Sequence, residues 1–286
     1  MQEVNKIKVK LFTGGQNRIT LSNRCVEVFE LQNIKCKQLT FVPVEPWLPV
    51  SNHGFKQLCR RNNMKLNDVA LIKMPSKIIR SFKKLGLEKC ITAKDIEFIQ
   101  SSNDFFMVKQ EILSFLLPIN DSNVKIESHN IFFGKPNLKQ TTYNSIENVY
   151  IGMHLDSWEG EMLEKRHLSR NRICINIGLD SRYLLFYNID IQEMAKSIGF
   201  QGNADKYEVN SIYPEFAKKF PNTPIYRLEI KPFEAYIAPT EFLIHDGSSW
   251  NSSFFDINVV FRGNFIVKNQ NIISTLAKNI IHLFKI

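Results

Sequence analysis

Tyr150-Ile-Gly-Met-His-Leu-Asp-Ser-Trp158 is the stretch on which the reading of this chain turns. Taken as a strand, it alternates: residues two apart share a face, so His154 and Asp156 project into one space while Leu155 points away. A strand of this kind needs neighbours, and the surrounding sequence offers them. Val124–Phe133, Val149–Leu155, Arg172–Ile177, Tyr183–Ile189, Ile225–Ile230, Ala235–Ile237, Phe242–His245 and Phe255–Phe261 are short apolar runs parted by Gly, Pro, Asn and Ser. About eight strands in so short a span predict a sandwich or a double-sheet jelly roll. Two helical inserts, Ile191–Ile198 and Asn210–Phe220, interrupt them.

Further out the pattern changes. Ile7–Phe12, Cys25–Leu31 and Leu39–Val44 are strand-like, and the Pro-rich stretch Pro43–Pro49 closes them. Residues 54–117 read as helical, because Leu66–Ile72, Ser76–Leu85 and Thr92–Leu117 carry apolar residues at i, i+3 and i+4. Thr92-Ala-Lys-Asp95 has the form of an N-cap followed by an acidic first turn. The organisation expected is a single domain over 1–286, mainly β with flanking helices. It comprises a β/helical region over 1–120, a β-helix core over 124–265 and a C-terminal helix over 270–285. The amphipathic part of that last helix, Ile272–Phe284, could mediate a homodimer. The helices ahead of the core are expected to cover one sheet.

Composition narrows the function classes. The chain is 44% hydrophobic and 23% charged, ordinary globular values. No apolar run approaches the ~20 residues of a membrane span. The polar start Met1-Gln-Glu-Val-Asn-Lys6 has no apolar segment behind it of the kind a signal peptide needs. A soluble cytoplasmic protein without a membrane partner is the expectation. Cys25, Cys36, Cys59, Cys90 and Cys174 form no CxxC pair, and five is an odd number. Reduced thiols are expected, not a disulfide framework or a structural zinc site. The formal charge of +9 raises the question of nucleic acid. Its densest cluster, Lys73, Lys77, Arg80, Lys83, Lys84 and Lys89, has no interleaved exposed aromatics, and no RNP-like, zinc-finger or GxxG signature accompanies it. A small-molecule substrate is therefore the expected partner, ahead of nucleic acid. Phosphate loops, G-x-S-x-G and protease triads are also absent from the sequence.

His154 and Asp156 supply an imidazole and a carboxylate on one face. A 2-His-1-carboxylate facial triad holds Fe(II) through three ligands and leaves three positions open. The segment Tyr236–Trp250 offers the missing ligand, since His245 there closes an apolar run and is followed by a Gly/Ser turn. On the next run, Phe255–Gly263, Arg262 stands among apolar residues, where a guanidinium calls for an anion. H-x-D, then a distal His, then a strand-borne Arg resemble the Fe(II)/2-oxoglutarate-dependent dioxygenase superfamily over residues 125–265. The resemblance implies a double-stranded β-helix with flanking helices, and iron held by His154, Asp156 and His245. It implies that Arg262 binds the far carboxylate of 2-oxoglutarate, with Arg172 as second candidate. It further implies O₂ as co-substrate and attack on an unactivated C–H bond coupled to decarboxylation of 2-oxoglutarate. Asp156, where the halogenases of that superfamily carry Gly or Ala, favours hydroxylation. Two departures stand beside the match. Arg262 follows His245 by 17 positions, so the turn Gly247–Ser253 absorbs extra length, and Arg262-Gly-Asn264 replaces the family's Arg-x-Ser.

The segment Ser157–Asn171 is charged and Ser-rich, and a mobile loop at the mouth of the barrel is expected there. Trp158 and Arg170 are its candidates for substrate contact. Asp246 is either an acceptor behind the distal His or a turn residue. His129 and His167 are minor candidates. The expected activity is hydroxylation of a small molecule such as an amino acid or a biosynthetic intermediate. Two alternatives stay open: a protein or RNA hydroxylase with the same iron centre, and a non-catalytic jelly-roll binding protein whose His and Asp are structural.

Overall fold

The apolar runs pair into three sheets in the computed structural model, which describes residues 6–268 except 61, 203, 206 and 207. The expected C-terminal helix, and with it the dimer contact, lies outside the described residues. The largest sheet has six strands in the order β1 (Val9–Leu11), β6 (Val69–Lys73), β13 (Glu234–Ala238), β10 (Asn171–Asn176), β15 (Asp256–Gly263) and β7 (Glu127–Gly134). A second sheet runs β14 (Leu243–Ser248), β11 (Arg182–Asp190), β12 (Ile225–Ile230), β2 (Ile19–Ser22) and β5 (Leu48–Pro49). A third, smaller sheet joins β3 (Cys25–Leu31), β4 (Ile34–Pro43), β9 (Val149–Tyr150) and β8 (Tyr143–Asn144).

Between residues 127 and 263 the chain shuttles between the two larger sheets. β7 belongs to the six-stranded sheet, and His154 then bridges to His245 on β14 of the five-stranded one. β10 returns to the six-stranded sheet, β11 and β12 to the other, and β13, β14 and β15 alternate again. As a result β10 lies between two strands distant in sequence, antiparallel to β13 and to β15.

The central strands are apolar at nearly every position because both of their faces are covered. Their two-residue period divides the side chains between two cores. Ile173, Ile175, Ile237, Val259 and Phe261 point to an outer core shared with α2 (Ser76–Lys84), α3 (Ala93–Gln100) and α4 (Asn103–Leu116), where Phe82, Phe105 and Phe115 are buried. Cys174, Tyr236 and Val260 point the other way, into a cluster with Leu184, Phe186 and Leu228 of the second sheet. That cluster also holds Met194 of α5 (Ile191–Ile198) and Phe216 of α6 (Val209–Lys219). Each such fully buried side chain contributes about 1.5–3 kcal/mol. A short helix, α1 (Asn52–Leu58), is capped by the Ser51 hydroxyl, which accepts the Gly54 N–H.

One expectation is corrected here. Leu66–Ile72 read as helix, yet its apolar part is β6, paired on both sides between the edge strand β1 and β13. Val69, Ala70, Leu71 and Ile72 are all wholly buried, and a short continuous apolar run fits a two-sided strand as well as a helix. Asp68, ion-paired to Arg60 and accepting the Lys65 N–H, ends the preceding turn. The Thr92 cap is present as a full capping box with Asp95. The long helix expected behind it breaks, because Ser102 caps a new helix by accepting the Phe105 N–H at 3.1 Å. No described helix is long and apolar enough to cross a membrane, and all five cysteines are free thiols.

Candidate metal centre

The H-x-D segment is built by a turn and a bridge. After β9 the chain turns at Gly152, whose φ is +74°, and a Cβ there would sit 2.7 Å from Thr40 Cγ2 and 2.9 Å from Gln140 Oε1. Glycine is required at that position. His154 and His245 then exchange backbone hydrogen bonds, each N–H donating to the other's carbonyl at 2.9 Å. The two rings lie 4.7 Å apart, centroid to centroid. Asp156 is fixed through its backbone: its N–H donates to Thr240 O at 3.0 Å, and its carbonyl accepts from Arg166 Nη1 at 2.8 Å. Val149–Tyr150 alone is regular strand, but the alternation persists through the bridge. Leu155 is buried in the core, whereas His154 and Asp156 line a cavity.

The proton positions follow from the partners. His154 Nδ1 lies 2.9 Å from Gly152 O, and His245 Nδ1 lies 3.0 Å from Leu243 O. A carbonyl only accepts, so each Nδ1 carries the proton and each neutral ring keeps its lone pair on Nε2. Nε2 of His154 is 3.5 Å from Asp156 Oδ1, and Nε2 of His245 is 3.8 Å from Asp156 Oδ2. Among the described residues this is the only group of three or more His, Cys, Asp or Glu whose ligand atoms lie mutually within 4.8 Å. Bonds of about 2.1 Å to one octahedral ion would bring neighbouring donors to roughly 3 Å, so the set fits a metal after modest contraction. Two imidazoles and a carboxylate suit a divalent transition ion.

Charge around the three residues is arranged by burial and by one arginine. Burial pushes the His245 imidazole down to about 3, against the pull of Asp156. Burial also opposes charge on His154, but the hydrogen bond and attraction of Asp156 outweigh it and raise the ring's pKa. At Asp156 burial works against ionisation, yet Arg172 and the two histidines hold the carboxyl well below the usual range. Arg172, on β10, donates from Nη1 to Asp156 Oδ2 at 3.1 Å. Its Nη2 donates to Tyr236 Oη at 2.9 Å and lies 3.2 Å from His245 Nε2.

These groups line a cavity of about 420 Å³. A second arginine, Arg182 at the start of β11, also lines it, with Nε 2.9 Å from Asp256 Oδ1 and Nη1 2.8 Å from Cys174 Sγ. Cys174 follows Arg172 by two residues on the same face of β10, a step of roughly 6.7 Å. Phe132, Tyr143 and Trp158 line the cavity and are partly exposed, which places them at its opening.

Of the residues singled out in the sequence, His154, Asp156, His245, Arg172 and Trp158 therefore meet around one cavity. Arg262 and Arg170 do not line it. The Arg262 guanidinium is engaged by protein carboxylates: Glu241 at 2.6 Å, Glu159 at 3.0 Å and Glu127 at 3.3 Å. Arg170 pairs with Glu159 at 2.6 Å and Glu127 at 3.2 Å. Trp158 packs between the His129 ring, 5.2 Å away, and Arg262, 5.5 Å away. The stretch expected to be a mobile loop is packed down, with a 3₁₀ helix over Leu163–Leu168 and Arg166 wholly buried. Its charges face one another across Glu159, Glu241, Arg166 and Arg262, so a polar composition does not here mean a solvated chain. His167 lines a separate cavity with Asp190 and Phe242. Asp246 accepts from the Thr142 hydroxyl at 2.5 Å and from the Gly247 N–H at 2.6 Å, and burial pushes its carboxyl up to about 6.

Arg182, Tyr236 and Arg166 were not found from the sequence. For Arg182 a signal existed, since a lone arginine opens an apolar run. Arg166 sat inside a charged segment and gave none. No protein-family model matches the chain, and neither a curated protein nor a solved structure does.

Proposed function

We propose that this chain is an Fe(II)- and 2-oxoglutarate-dependent oxygenase with a double-stranded β-helix core, hydroxylating a small molecule. The observation that carries the reading is the convergence of two Nδ1-anchored imidazoles and one carboxylate on a cavity that also holds two arginines, Arg182 buried and Arg172 half-buried. The fold part is supported by the shuttling of β7, β10, β11, β12, β13, β14 and β15 between two sheets, with β10 between β13 and β15. Iron held by His154, Asp156 and His245 would supply O₂ activation. The protein's own share is positioning. Gly152 O and Leu243 O fix the imidazoles, and Arg166 holds the Asp156 carbonyl. Arg172 and Arg182, which both line the cavity, offer guanidiniums to a short dicarboxylate, and they take the role the sequence suggested for Arg262. Phe132, Tyr143 and Trp158 are the surfaces a substrate meets on entry.

Anaerobic titration of the protein with Fe(II) and then 2-oxoglutarate is expected to give a weak visible charge-transfer band. His154→Ala and His245→Ala should abolish it while the fold is kept. If the histidines are structural and the protein is a non-catalytic binder, both variants will retain the metal content of the wild type, and the reading falls.

A further inference from the structure

Arg172 and a divalent cation draw on the same lone pairs. Its Nη1 takes Asp156 Oδ2, and its Nη2 lies within hydrogen-bond distance of His245 Nε2, the atom that a metal would need. We propose that Arg172 is a built-in competitor for the metal, displaced from Asp156 and His245 when the cation binds and passed to an anionic ligand. This rests on the metal reading above.

Three observations support the exchange. First, the donor atoms stand 3.5 and 3.8 Å apart on the measured edges, wider than the roughly 3 Å a shared ion imposes, and the guanidinium contacts two of the three donors. Second, Arg172 has a holding point that does not depend on the triad: its Nη2 donates to Tyr236 Oη at 2.9 Å. A small rotation about that contact releases Asp156 without expelling the guanidinium from the cavity. Third, the charges balance. The ionised side chains lining the cavity are Asp156, Asp256, Arg172 and Arg182, two of each sign, while Asp246 lies behind the wall bonded to Thr142. A divalent cation adds two positive charges in a buried space, where an uncompensated charge is costly. A dianion restores neutrality, and Arg172, losing its share of Asp156, is the group left seeking a carboxylate. Cation and dicarboxylate are thus coupled through one side chain, each raising affinity for the other by the same factor.

The test is a Co(II) titration of the full chain, followed by visible absorption, for wild type, Arg172→Gln and Arg172→Lys. Circular dichroism and thermal unfolding check the fold of each. Removing a unit positive charge at contact distance is expected to tighten Co(II) binding about tenfold or more in Arg172→Gln. Lysine keeps the charge but cannot span both ligands, so Arg172→Lys falls between. Added 2-oxoglutarate should tighten Co(II) binding to the wild type and do so less in Arg172→Gln. A folded Arg172→Gln that binds Co(II) no tighter than wild type overturns the competition and leaves the metal site standing. If that variant does not fold, Arg172→Lys decides: tighter binding supports the proposal, equal or weaker binding refutes it. Absence of Co(II) binding by the wild type, or binding indifferent to His245→Ala, removes the metal reading and the proposal together.

Discussion

A histidine that gives its Nδ1–H to a backbone carbonyl has one lone pair left to offer, and at His245 burial keeps that pair unprotonated. The ring's pKa, down to about 3 in the folded chain, stands near 6.5 when unfolded. Below the unfolded value the open chain takes up a proton that folded His245 refuses. Stability is therefore lost as pH falls from about 6.5 toward about 3, by up to about 1.4 kcal/mol per pH unit. His154 carries the opposite sign. Its pKa is raised, so the stabilisation it draws from Asp156 is full below the unfolded value and lost as pH rises through the folded one. Asp246 and Asp190, both pushed up to about 6, add titrations of their own. Comparison with His245→Gln cancels these shared contributions to first order. Urea unfolding between about pH 7 and about pH 5 should show the margin of wild type over His245→Gln shrinking on acidification. A margin that stays constant over that range would mean the imidazole is not held neutral. The same neutrality leaves a lone pair on Nε2, the atom that faces Arg172.

At the scale of the element, β15 shows how register turns a correct chemical inference toward a different partner. The sequence said that a guanidinium among apolar residues must meet an anion, and Arg262 does meet one, but the anions are Glu241, Glu159 and Glu127. Glu241 is as buried as Arg262, and it also accepts the Glu159 N–H. Arg262 thus ties the end of β15 to the Pro239–Phe242 turn and to the segment after H-x-D. Arg262→Met leaves Glu241 buried without its nearest cation, an expected loss of about 3–5 kcal/mol in urea unfolding. Affinity for 2-oxoglutarate, measured on the folded variant, should stay close to wild type. Lost co-substrate binding with unchanged stability would restore Arg262 to the role its place in the motif suggested. Several elements were legible: strands β3 and β12 and helix α5 match their sequence ranges, because turn residues bound the strands and Asp190 and Gly199 bound the helix. β6 was not, since four consecutive buried apolar residues carry no period. Of the candidate ligands, His154 and Asp156 were legible from their two-residue spacing, and His245 from its place at the end of an apolar run. Arg166 and the carboxylate cluster were not, because nothing in a charged stretch tells whether its partners are water or one another.

For the molecule as a whole, the question is whether the β region carrying the candidate ligands stands without what precedes it. The sequence suggested one domain with a β/helical region ahead of the core, and the two regions share their sheets. β1 and β6 extend the six-stranded sheet beyond β13, and β2 and β5 extend the other beyond β12. The outer face of the six-stranded sheet, with Ile173, Ile175, Ile237, Val259 and Phe261, is covered by side chains of α2, α3 and α4. Removing those helices would expose a contiguous apolar face of the kind that monomeric proteins avoid. Removing β6 with them would also leave β13 as a bare edge. A fragment of residues 124–268 retains His154, Asp156, His245, Arg172 and Arg182. Expressed alone, it is nevertheless expected to aggregate or to unfold without a cooperative transition, and to lose the Co(II) affinity of the whole chain. Size-exclusion chromatography and urea unfolding of fragment and full chain measure this directly. A soluble, cooperatively unfolding fragment with undiminished Co(II) affinity would show that the first 120 residues are an addition to the site and not part of the structure that holds it.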